Sequence, residues 1–313
     1  MPFAIKTSPP THSEGLIQII SKYRMIPKSH ILVGGGSSDL MFAFFPNILK
    51  KSDKVLILDP MYGEYAHIFE NILNVRLVRF KLAIKDNFVI NYETFHRAIL
   101  SNKPKMVVLV NPNSPTGKYF QKKKLLRLVS SHPSVMFIVD ETYIDYLGKE
   151  KSLEQETKRY HNLIIIKSMS KAYALSGARV GYIVAHPTII QRVSLFIPPW
   201  PVSLVGQIAA VEALKDEKYY KSKYAETHRL RKEMIKALQN PQIKIYDSCA
   251  NFFLIKLRHG SAQKIISELR KQNIYLRNCD SMSLQFNDDF IRITVKDEKN
   301  NRRIIGALNR ILS

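Results

Sequence analysis

Short apolar runs alternate with helical patterns from about residue 30 to residue 190 of the chain. The runs are continuous apolar stretches rather than alternations of apolar and polar residues, and they cover 55–58, 77–80, 106–110, 135–139, 163–166 and 180–184. Strands that are buried on both faces have this pattern, because helices cover both sides of a parallel sheet. The pattern therefore predicts an α/β domain with a mostly parallel sheet sandwiched by helices.

Amphipathic segments at 64–73 and 121–130 lie between these runs and predict the covering helices. The pattern changes at 197–201, where three prolines predict an extended break. Long helical patterns follow, and then short strands and two more helices, of which the last has Asp297 as its N-cap. These later segments are 202–214, 217–238, 243–246, 252–256, 290–295 and 298–312. We predict a residual N-terminal segment, a large α/β domain, and a linker helix with a smaller C-terminal α+β domain, which are 1–25, 26–205 and 206–313.

The composition is that of a globular protein with an unusual charge. The chain has 313 residues, 45% of them hydrophobic, which is enough for a large core. No apolar run approaches the roughly 20 residues that span a bilayer, and no signal peptide pattern opens the chain. Two cysteines do not make a disulfide framework, so we expect a reduced, cytoplasmic protein without a metal site. The formal net charge of +22 raises the alternative of a nucleic-acid-binding protein.

Two glycine-containing segments suit a ligand with an anionic group. Three consecutive glycines precede Ser37 and Ser38 at the start of an apolar helix, where free N–H groups favour an anion such as phosphate. The loop 111–117 follows a predicted strand and contains two prolines and a glycine, so we expect an irregular loop where ligands gather in open α/β sheets. Either segment alone is equally consistent with an ordinary turn.

Two further segments place charged groups at the ends of apolar strands. Asp140 ends one strand, and a buried acid is costly without a cationic partner, so we expect a ligand cation. Lys171 follows another strand, where burial lowers the pKa of an amine and makes it a nucleophile. Ser168, Ser170 and Arg179 add groups that suit a phosphate. Together the four segments supply an anion cradle, a carboxylate and a nucleophilic lysine, which is the set that pyridoxal 5′-phosphate (PLP) requires.

On these residues the chain resembles fold-type I PLP enzymes of the class I/II aminotransferase group. It is most similar to the branch of histidinol-phosphate aminotransferases and threonine-phosphate decarboxylases, and the most specific motifs lie at 140–143 and 168–182. The resemblance implies that Lys171 is the Schiff-base lysine and proton shuttle, that Asp140 pairs with the pyridine N–H, and that Tyr143 hydrogen-bonds the ring O3′. The resemblance also places Tyr62 and Thr142 against the ring, and it assigns the phosphate to Ser37, Ser38, Ser168, Ser170 and Arg179. It assigns the substrate carboxylate to Arg292 and a second anion to Arg277. It includes Asn251 in the site in an open role.

The chain departs from the family pattern at three places. Ser114 stands where the family has an Asn that hydrogen-bonds O3′, so Ser114 or Asn113 is expected to make this contact. Ser8 stands where histidinol-phosphate aminotransferases have a Tyr that reaches the cofactor phosphate of the partner subunit. The family's N-terminal arm, which closes the active site, is lacking. We therefore expect a shortened variant or a reading frame that begins at an internal methionine, with activity affected more than cofactor binding.

The resemblance leaves two reactions open, because transamination and decarboxylation differ only in which bond of the substrate Cα stands perpendicular to the cofactor ring. An aminotransferase acting on an amino acid or a phosphorylated amino substrate, with a 2-oxo acid as partner, is favoured because that activity dominates the group. The segments 198–200 and 274–279 look slightly more like the decarboxylase branch. The resemblance also implies a homodimer. A catalytically impaired or nucleic-acid-associated protein is the least favoured alternative, and no membrane partner is expected.

Overall fold

The computed structural model describes residues 5–238 and 240–312, and its main feature is a seven-stranded sheet. The strands are β1 (Ile31–Gly34), β2 (Lys54–Asp59), β3 (Arg76–Lys81), β4 (Met106–Val110), β5 (Met136–Asp140), β6 (Leu163–Ser168) and β7 (Gly181–Val184). They lie in the order β1-β7-β6-β5-β4-β2-β3, and β7 runs antiparallel to both of its neighbours while the other pairs are parallel. The predicted mostly parallel sheet is confirmed. Sequence analysis missed β1, because its apolar run, 31–33, is shorter than any of the runs taken as strands.

Helices flank this sheet, and three more within the described ranges, the last in chain order, belong to the C-terminal part of the chain. They are α1 (Glu14–Arg24), α2 (Ser37–Ile48), α3 (Gly63–His67), α4 (Tyr92–Asn102), α5 (Lys122–Ser131), α6 (Pro187–Ser194), α7 (Leu204–Lys215), α8 (Glu217–Ala237), α9 (Ala262–Lys271) and α10 (Glu298–Leu312). The helix predicted at 64–73 is split, because α3 continues as a π-helical turn over Ile68–Ile72. Asp297 caps α10 as predicted, since its Oδ1 accepts the N–H of Asn300 at 2.9 Å. Among the described residues, no helix is long and apolar enough to cross a membrane.

The centre of the sheet is almost completely closed to solvent. Every side chain of β4 and β6 is buried, and most of those of β5 are buried too. Each large apolar side chain removed from water contributes about 1.5–3 kcal/mol, so these strands anchor the fold. The polar residues that follow β4, β5 and β6 stand on a rigid base, at the edge where parallel strands present their carboxyl ends.

A second, antiparallel sheet forms in the last part of the chain. Its strands are β8 (Ile243–Tyr246), β9 (Phe252–Leu257), β10 (Arg277–Asn278) and β11 (Phe290–Thr294), in the order β10-β11-β9-β8. This sheet, α8, α9 and α10 enclose a core of their own, as expected for an α+β unit. Leu254 and Phe290 belong instead to the core of the large sheet, which joins the two parts. The residue boundaries given above for the domains remain predictions.

Candidate active site

A cleft of about 240 Å³ lies at the edge of the large sheet where β4, β5 and β6 end. It draws residues from the start of α2, the loop before α3, the ends of the three strands and β11 of the small sheet. The eleven residues assigned above to the cofactor all line it, and they are Ser37, Ser38, Tyr62, Ser114, Asp140, Thr142, Tyr143, Ser168, Ser170, Lys171 and Arg179. The cleft also takes in Arg292, which the resemblance assigned to the substrate.

The start of α2 forms an anion cradle at one end of the cleft. Ser37 and Ser38 are the first two residues of α2, where the backbone N–H groups have no partner within the helix. Gly36 precedes them with φ +100°, and a Cβ added there would come within 2.7 Å of Nη2 of Arg179. Gly181 allows β7 an equally close approach, because its Cβ would lie 2.5 Å from the backbone nitrogen of Ser37. Two glycines thus keep free N–H groups and a guanidinium within reach of one anion.

Asp140 is a buried carboxylate whose partners are neutral. Its Oδ2 accepts the Tyr65 hydroxyl at 2.8 Å, and its Oδ1 accepts the N–H and the hydroxyl of Thr142 at 2.9 and 2.6 Å. Burial raises the pKa of Asp140, while the hydrogen bonds from Thr142 and Tyr65 and the charge of Lys167 oppose this rise. The sequence showed no local cationic partner for this acid, and the structure adds neutral hydroxyl donors from Tyr65 and Thr142. No described residue forms an ion pair with Asp140, so the carboxylate retains its capacity for a cation.

Lys171 carries its amine into the cleft without a partner. Its Nζ makes no hydrogen bond or ion pair with any described residue. Partial burial lowers the pKa of this amine, and the positive charges of Arg292, Lys296 and Arg179 lower it further. Both effects favour the neutral amine, which is the nucleophilic and basic form.

Ser114 connects the loop after β4 to the small sheet. Nη1 of Arg292 donates to the Ser114 hydroxyl at 2.7 Å, and the guanidinium of Arg292 lies 5.0 Å from the centre of the Phe252 ring. Asn113, the alternative to Ser114, is engaged elsewhere, because its amide donates to the Pro60 carbonyl and to the Thr116 hydroxyl, both at 3.0 Å. Of the two candidates, the structure places Ser114 on the cleft wall.

Tyr143 lies next to this contact and is nearly buried. Burial raises the pKa of its hydroxyl, while the charge of Arg292 lowers it. The Tyr143 ring packs edge-on against Phe252 with ring centres 5.1 Å apart. The phenol therefore faces the cleft in its protonated form and can donate a hydrogen bond.

A second cavity of about 540 Å³ adjoins the cleft and shares Tyr62 and Arg292 with it. Arg277 lines this second cavity and is the direct cross-strand partner of Arg292 in the β10–β11 pair. The two guanidiniums therefore extend from the same face of the small sheet. Asn251 does not reach the cleft wall, and its backbone carbonyl accepts the N–H of Val295 at 2.8 Å. Its open role in the proposed site remains a prediction.

Three residues of the site were not identified from the sequence. Tyr65 was read as part of the apolar face of a helix, although its hydroxyl holds Asp140. Val110 was read only as the last residue of a buried strand, although it forms part of the cleft floor. Ser176 lines the cleft, and its backbone carbonyl accepts Nη1 of Arg179 at 3.1 Å. Only the position of Val110 at a strand end could have indicated its role.

Five buried charged residues form an ion cluster directly behind the cleft. Nζ of Lys167 lies 3.1 Å from Asp145 and 3.8 Å from both Glu141 and Glu154, and Nη2 of Arg24 lies 2.8 Å from Asp145. Burial raises the pKa of Glu141 to about 7. Burial also opposes ionisation of Asp145, but Arg24 and Lys167 outweigh it and lower the pKa of Asp145 to about 2. The cluster holds Glu141 and Lys167 in place, and these are the chain neighbours of Asp140 and Ser168.

Comparison with known families gives a match over nearly the whole chain. The model of the family described as "Aminotransferase class I and II" matches residues 4–308. The histidinol-phosphate aminotransferase of Caldanaerobacter subterraneus subsp. tengcongensis is 30% identical over 306 residues, which cover 97% of this chain and 84% of that protein. The histidinol-phosphate aminotransferase of Methanocaldococcus jannaschii is 27% identical over 300 residues, which cover 95% of this chain and 79% of that protein.

Solved structures resemble the whole chain as well. The histidinol-phosphate aminotransferase from Clostridium acetobutylicum is 28% identical with a TM-score of 0.88, and the match covers 98% of this chain and 90% of that one. The histidinol-phosphate aminotransferase from Sinorhizobium meliloti, in complex with PLP, has a TM-score of 0.88 at 19% identity, and the match covers 98% of this chain and 83% of that one. The L-threonine-O-3-phosphate decarboxylase from Porphyromonas gingivalis has a TM-score of 0.85 at 24% identity, and the match covers 99% of this chain and 91% of that one. The last two show a likeness of fold alone.

Proposed function

The chain belongs to the class I and II aminotransferase family, and on that premise we propose that it transfers the amino group of a phosphorylated amino substrate to a 2-oxo acid. PLP is its cofactor, and the relatives named above suggest histidinol phosphate as the amino donor. The observation that carries the proposal is the convergence on one cleft of an amine without a partner, a buried carboxylate without an ion pair, both judged among the described residues, and a helix N-terminus. These groups belong to Lys171, Asp140 and α2.

The residues of the cleft fit PLP by their chemistry. The N–H groups at the start of α2, the serine hydroxyls and Arg179 supply donors for a phosphate, and Gly36 leaves the space that a Cβ would fill. Asp140 supplies a carboxyl group that can pair with a protonated ring nitrogen. When bound, PLP withdraws electrons from the substrate Cα and so stabilises the negative charge that develops there.

The chain's own residues then perform three tasks. The neutral amine of Lys171 takes a proton from the substrate Cα and returns one during transfer, which requires the lowered pKa. Asp140 keeps the ring nitrogen protonated, and Tyr65 and Thr142 hold the carboxylate in place. Tyr143 and Ser114 offer hydroxyl groups at the end of β4 and β5, where the resemblance places the ring O3′.

Arg292 and Arg277 form the proposed binding site for the anionic groups of the substrates, with Arg292 on the carboxylate of the 2-oxo acid and Arg277 on the phosphate of the amino donor. Because they are cross-strand partners, a phosphate that accepts hydrogen bonds from Arg277 lies within reach of the Arg292 guanidinium as well. Arg292 keeps donors for the substrate, because only its Nη1 donates to Ser114 and its Nε has no hydrogen-bond partner among the described residues. We also propose that the protein acts in the cytoplasm as a homodimer.

The test is an assay of the PLP-loaded protein with histidinol phosphate and 2-oxoglutarate. We expect glutamate to form, at a rate that Arg277→Gln lowers through a higher KM. The matched control is Arg76→Gln on the exposed start of β3, which should leave both KM and kcat unchanged. Absence of glutamate with every phosphorylated amino donor would contradict the proposal.

The second candidate is decarboxylation of a phosphorylated amino acid. It is favoured by the segments 198–200 and 274–279, which look slightly more like the decarboxylase branch, and the latter contains Arg277. The same assay distinguishes the two reactions when threonine phosphate is supplied without a 2-oxo acid. Release of CO2 then identifies a decarboxylase, whereas glutamate formed from histidinol phosphate identifies an aminotransferase.

A further inference from the structure

A cavity of about 270 Å³ lies behind the segment that carries Lys171, and the proposed reaction does not use it. Five tyrosines line its walls, and four of them, Tyr146, Tyr173, Tyr220 and Tyr224, have rings in contact with one another. The ring centres of Tyr146 and Tyr224 are 5.0 Å apart, those of Tyr173 and Tyr220 are 4.9 Å apart, and those of Tyr220 and Tyr224 are 6.3 Å apart. The tyrosines thus form a continuous aromatic wall, which suits a flat aromatic ring by stacked or edge-on contacts.

Some polar groups of this cavity have hydrogen-bond or ionic partners, and others do not. The Tyr224 hydroxyl is buried and has no hydrogen-bond partner among the described residues, so a ligand oxygen there would satisfy a group that is costly to leave unpaired. At the solvent side, Lys149 and Lys221 both pair with the single carboxylate of Glu217, at 2.8 and 2.9 Å. One positive charge is therefore in excess at the rim. The buried guanidinium that also lines the cavity is already neutralised, because Arg24 pairs with carboxylates of the ion cluster.

We propose that this cavity binds a small aromatic acid. The ring lies among the four tyrosines, an oxygen on the ring accepts a hydrogen bond from Tyr224, and the carboxylate lies at the rim beside Lys149 and Lys221. The apolar ring enters the interior, while the charged group stays near water and its counter-charges.

The cavity is connected to the active site through the backbone around Lys171. The Tyr146 hydroxyl donates to the carbonyl of Lys171 at 3.4 Å, and the Tyr220 hydroxyl donates to the carbonyl of Tyr173 at 3.3 Å. Asp145 lines the cavity and pairs with Lys167, four residues before Lys171. A ligand that moves these side chains therefore changes the position of Lys171, and the aromatic acid acts as a regulator of the enzyme.

Binding is tested on the PLP-loaded protein by titration calorimetry with two probes. The probes are 3-(4-hydroxyphenyl)propionate and 3-phenylpropionate, which have no amino or oxo group and cannot turn over. The wild type should bind the hydroxylated probe more tightly than the other one. Tyr224→Phe should weaken binding of the hydroxylated probe by about two- to tenfold, the contribution of one hydrogen bond, and leave 3-phenylpropionate unchanged. Equal weakening of both probes, or no saturable binding of either, would overturn the proposal.

The location is tested by filling the cavity. Ala225 lies on α8 and lines it, so Ala225→Trp should abolish binding of both probes, whereas Ala225→Ser should retain it. Arg292→Lys alters the cleft and should leave the affinity for the probes unchanged, which separates this cavity from the substrate site. Probe binding that survives in Ala225→Trp would place the probe elsewhere and refute the assignment. Circular dichroism verifies that each variant is folded. If Ala225→Trp does not fold, the result with Tyr224→Phe decides the question alone.

The connection to Lys171 has its own readout. The visible absorbance of the bound cofactor should change as the hydroxylated probe saturates the wild type, and should not change in Ala225→Trp. An unchanged spectrum at saturation would refute the regulatory role while leaving the binding site in place.

Discussion

Lys171 stands in the cleft among positive charges rather than beside an acid. Arg292, Lys296 and Arg179 all lower the pKa of its amine, after burial as the largest cause. A structural lysine would instead be paired with a carboxylate, as Lys167 is in the ion cluster a few residues earlier. The contrast between these two lysines of one segment separates the chemical role from the structural one.

Lys171→Ala should remove the visible absorbance of the bound cofactor and lower the turnover by roughly a thousandfold or more, because both the covalent contact and the proton carrier are lost. The measurement is the absorbance spectrum of the purified, dialysed variant together with its rate. Lys296→Ala is the control, since it removes a neighbouring charge and should keep the absorbance. A band that persists in Lys171→Ala after dialysis would show that the lysine is wrongly assigned.

Glu141 is the acid of the ion cluster that burial penalises most clearly. Its pKa in the folded protein is raised from the ordinary value of 4.5 to about 7. The folded state therefore binds a proton on Glu141 that the unfolded state has released. The contribution of this proton to the free energy of unfolding is complete below about pH 4.5 and is lost as the pH rises to about 7.

Glu141→Gln should abolish this loss, because the amide cannot ionise. In urea unfolding, the free energy of unfolding of the wild type should fall between pH 5 and pH 8, and in Glu141→Gln this fall should be smaller by about 3 kcal/mol. Glu150→Gln, at an exposed neighbouring acid, is the matched control and should behave like the wild type. An unchanged pH dependence in Glu141→Gln would refute the raised pKa.

At the scale of elements, the turn between β1 and α2 determines the shape of the anion cradle. Gly36 has φ +100°, a conformation that favours glycine, and any side chain there would meet the guanidinium of Arg179. The free N–H groups of α2 depend on this turn for their direction. The helix and the guanidinium act together only while this position has no Cβ.

Gly36→Ala should weaken PLP binding by about tenfold or more, because the added Cβ displaces the Arg179 guanidinium from the cradle, and because backbone strain of about 1–3 kcal/mol distorts the turn that directs the N–H groups. The measurement is the dissociation constant for PLP, followed by its absorbance. Gly15→Ala is the control, since a Cβ at this position of α1 meets nothing within 4 Å. That variant should bind PLP normally and be more stable by about 0.5–1 kcal/mol. Normal PLP affinity in Gly36→Ala would mean that the phosphate lies elsewhere.

At the scale of the whole molecule, the net charge of +22 is largely unrelated to the cleft. Lys171, Arg179 and Arg292 line it and Arg277 lies in the adjoining cavity, but four positive residues account for a small part of the excess. The remainder is spread over the surface, where it attracts anionic substrates as a secondary effect. A separate surface feature follows α6, where Leu195 and Trp200 are 80% and 55% exposed. Large exposed apolar side chains of this kind favour an interface between protein chains.

We expect the protein to sediment as a dimer with twice the monomer mass of 36.1 kDa. Leu195→Glu should shift the equilibrium towards monomer, because a buried unpaired charge is costly at an interface. Val89→Glu introduces the same charge at a comparably exposed residue and should leave the dimer intact. A dimer that is equally stable in both variants would place the interface elsewhere, and a monomeric wild type would refute the homodimer.

The sequence predicted the parallel strands and the members of the cleft well, because each relies on local information. The buried strands are marked by unbroken apolar runs, and the cleft residues follow those strands directly. The shell of Asp140 was not predictable, since Tyr65 lies 75 residues away and its ring fits an ordinary helix face. The choice between Ser114 and Asn113 was equally undetermined, because both side chains are polar and only the direction of the loop separates them.

By itself, the sequence predicted the layered α/β fold and PLP as the cofactor, and it singled out Lys171 and Asp140 as candidates, because these depend on short patterns of residue type. Only the tertiary structure decided which groups are paired and which are free. It left Asp140 and Lys171 without ionic partners among the described residues, neutralised Arg24 and Lys167 within the buried cluster, and enclosed an aromatic cavity behind the active-site segment. Pairing and burial depend on distances between residues remote in the chain, and those distances are set by packing rather than by local sequence.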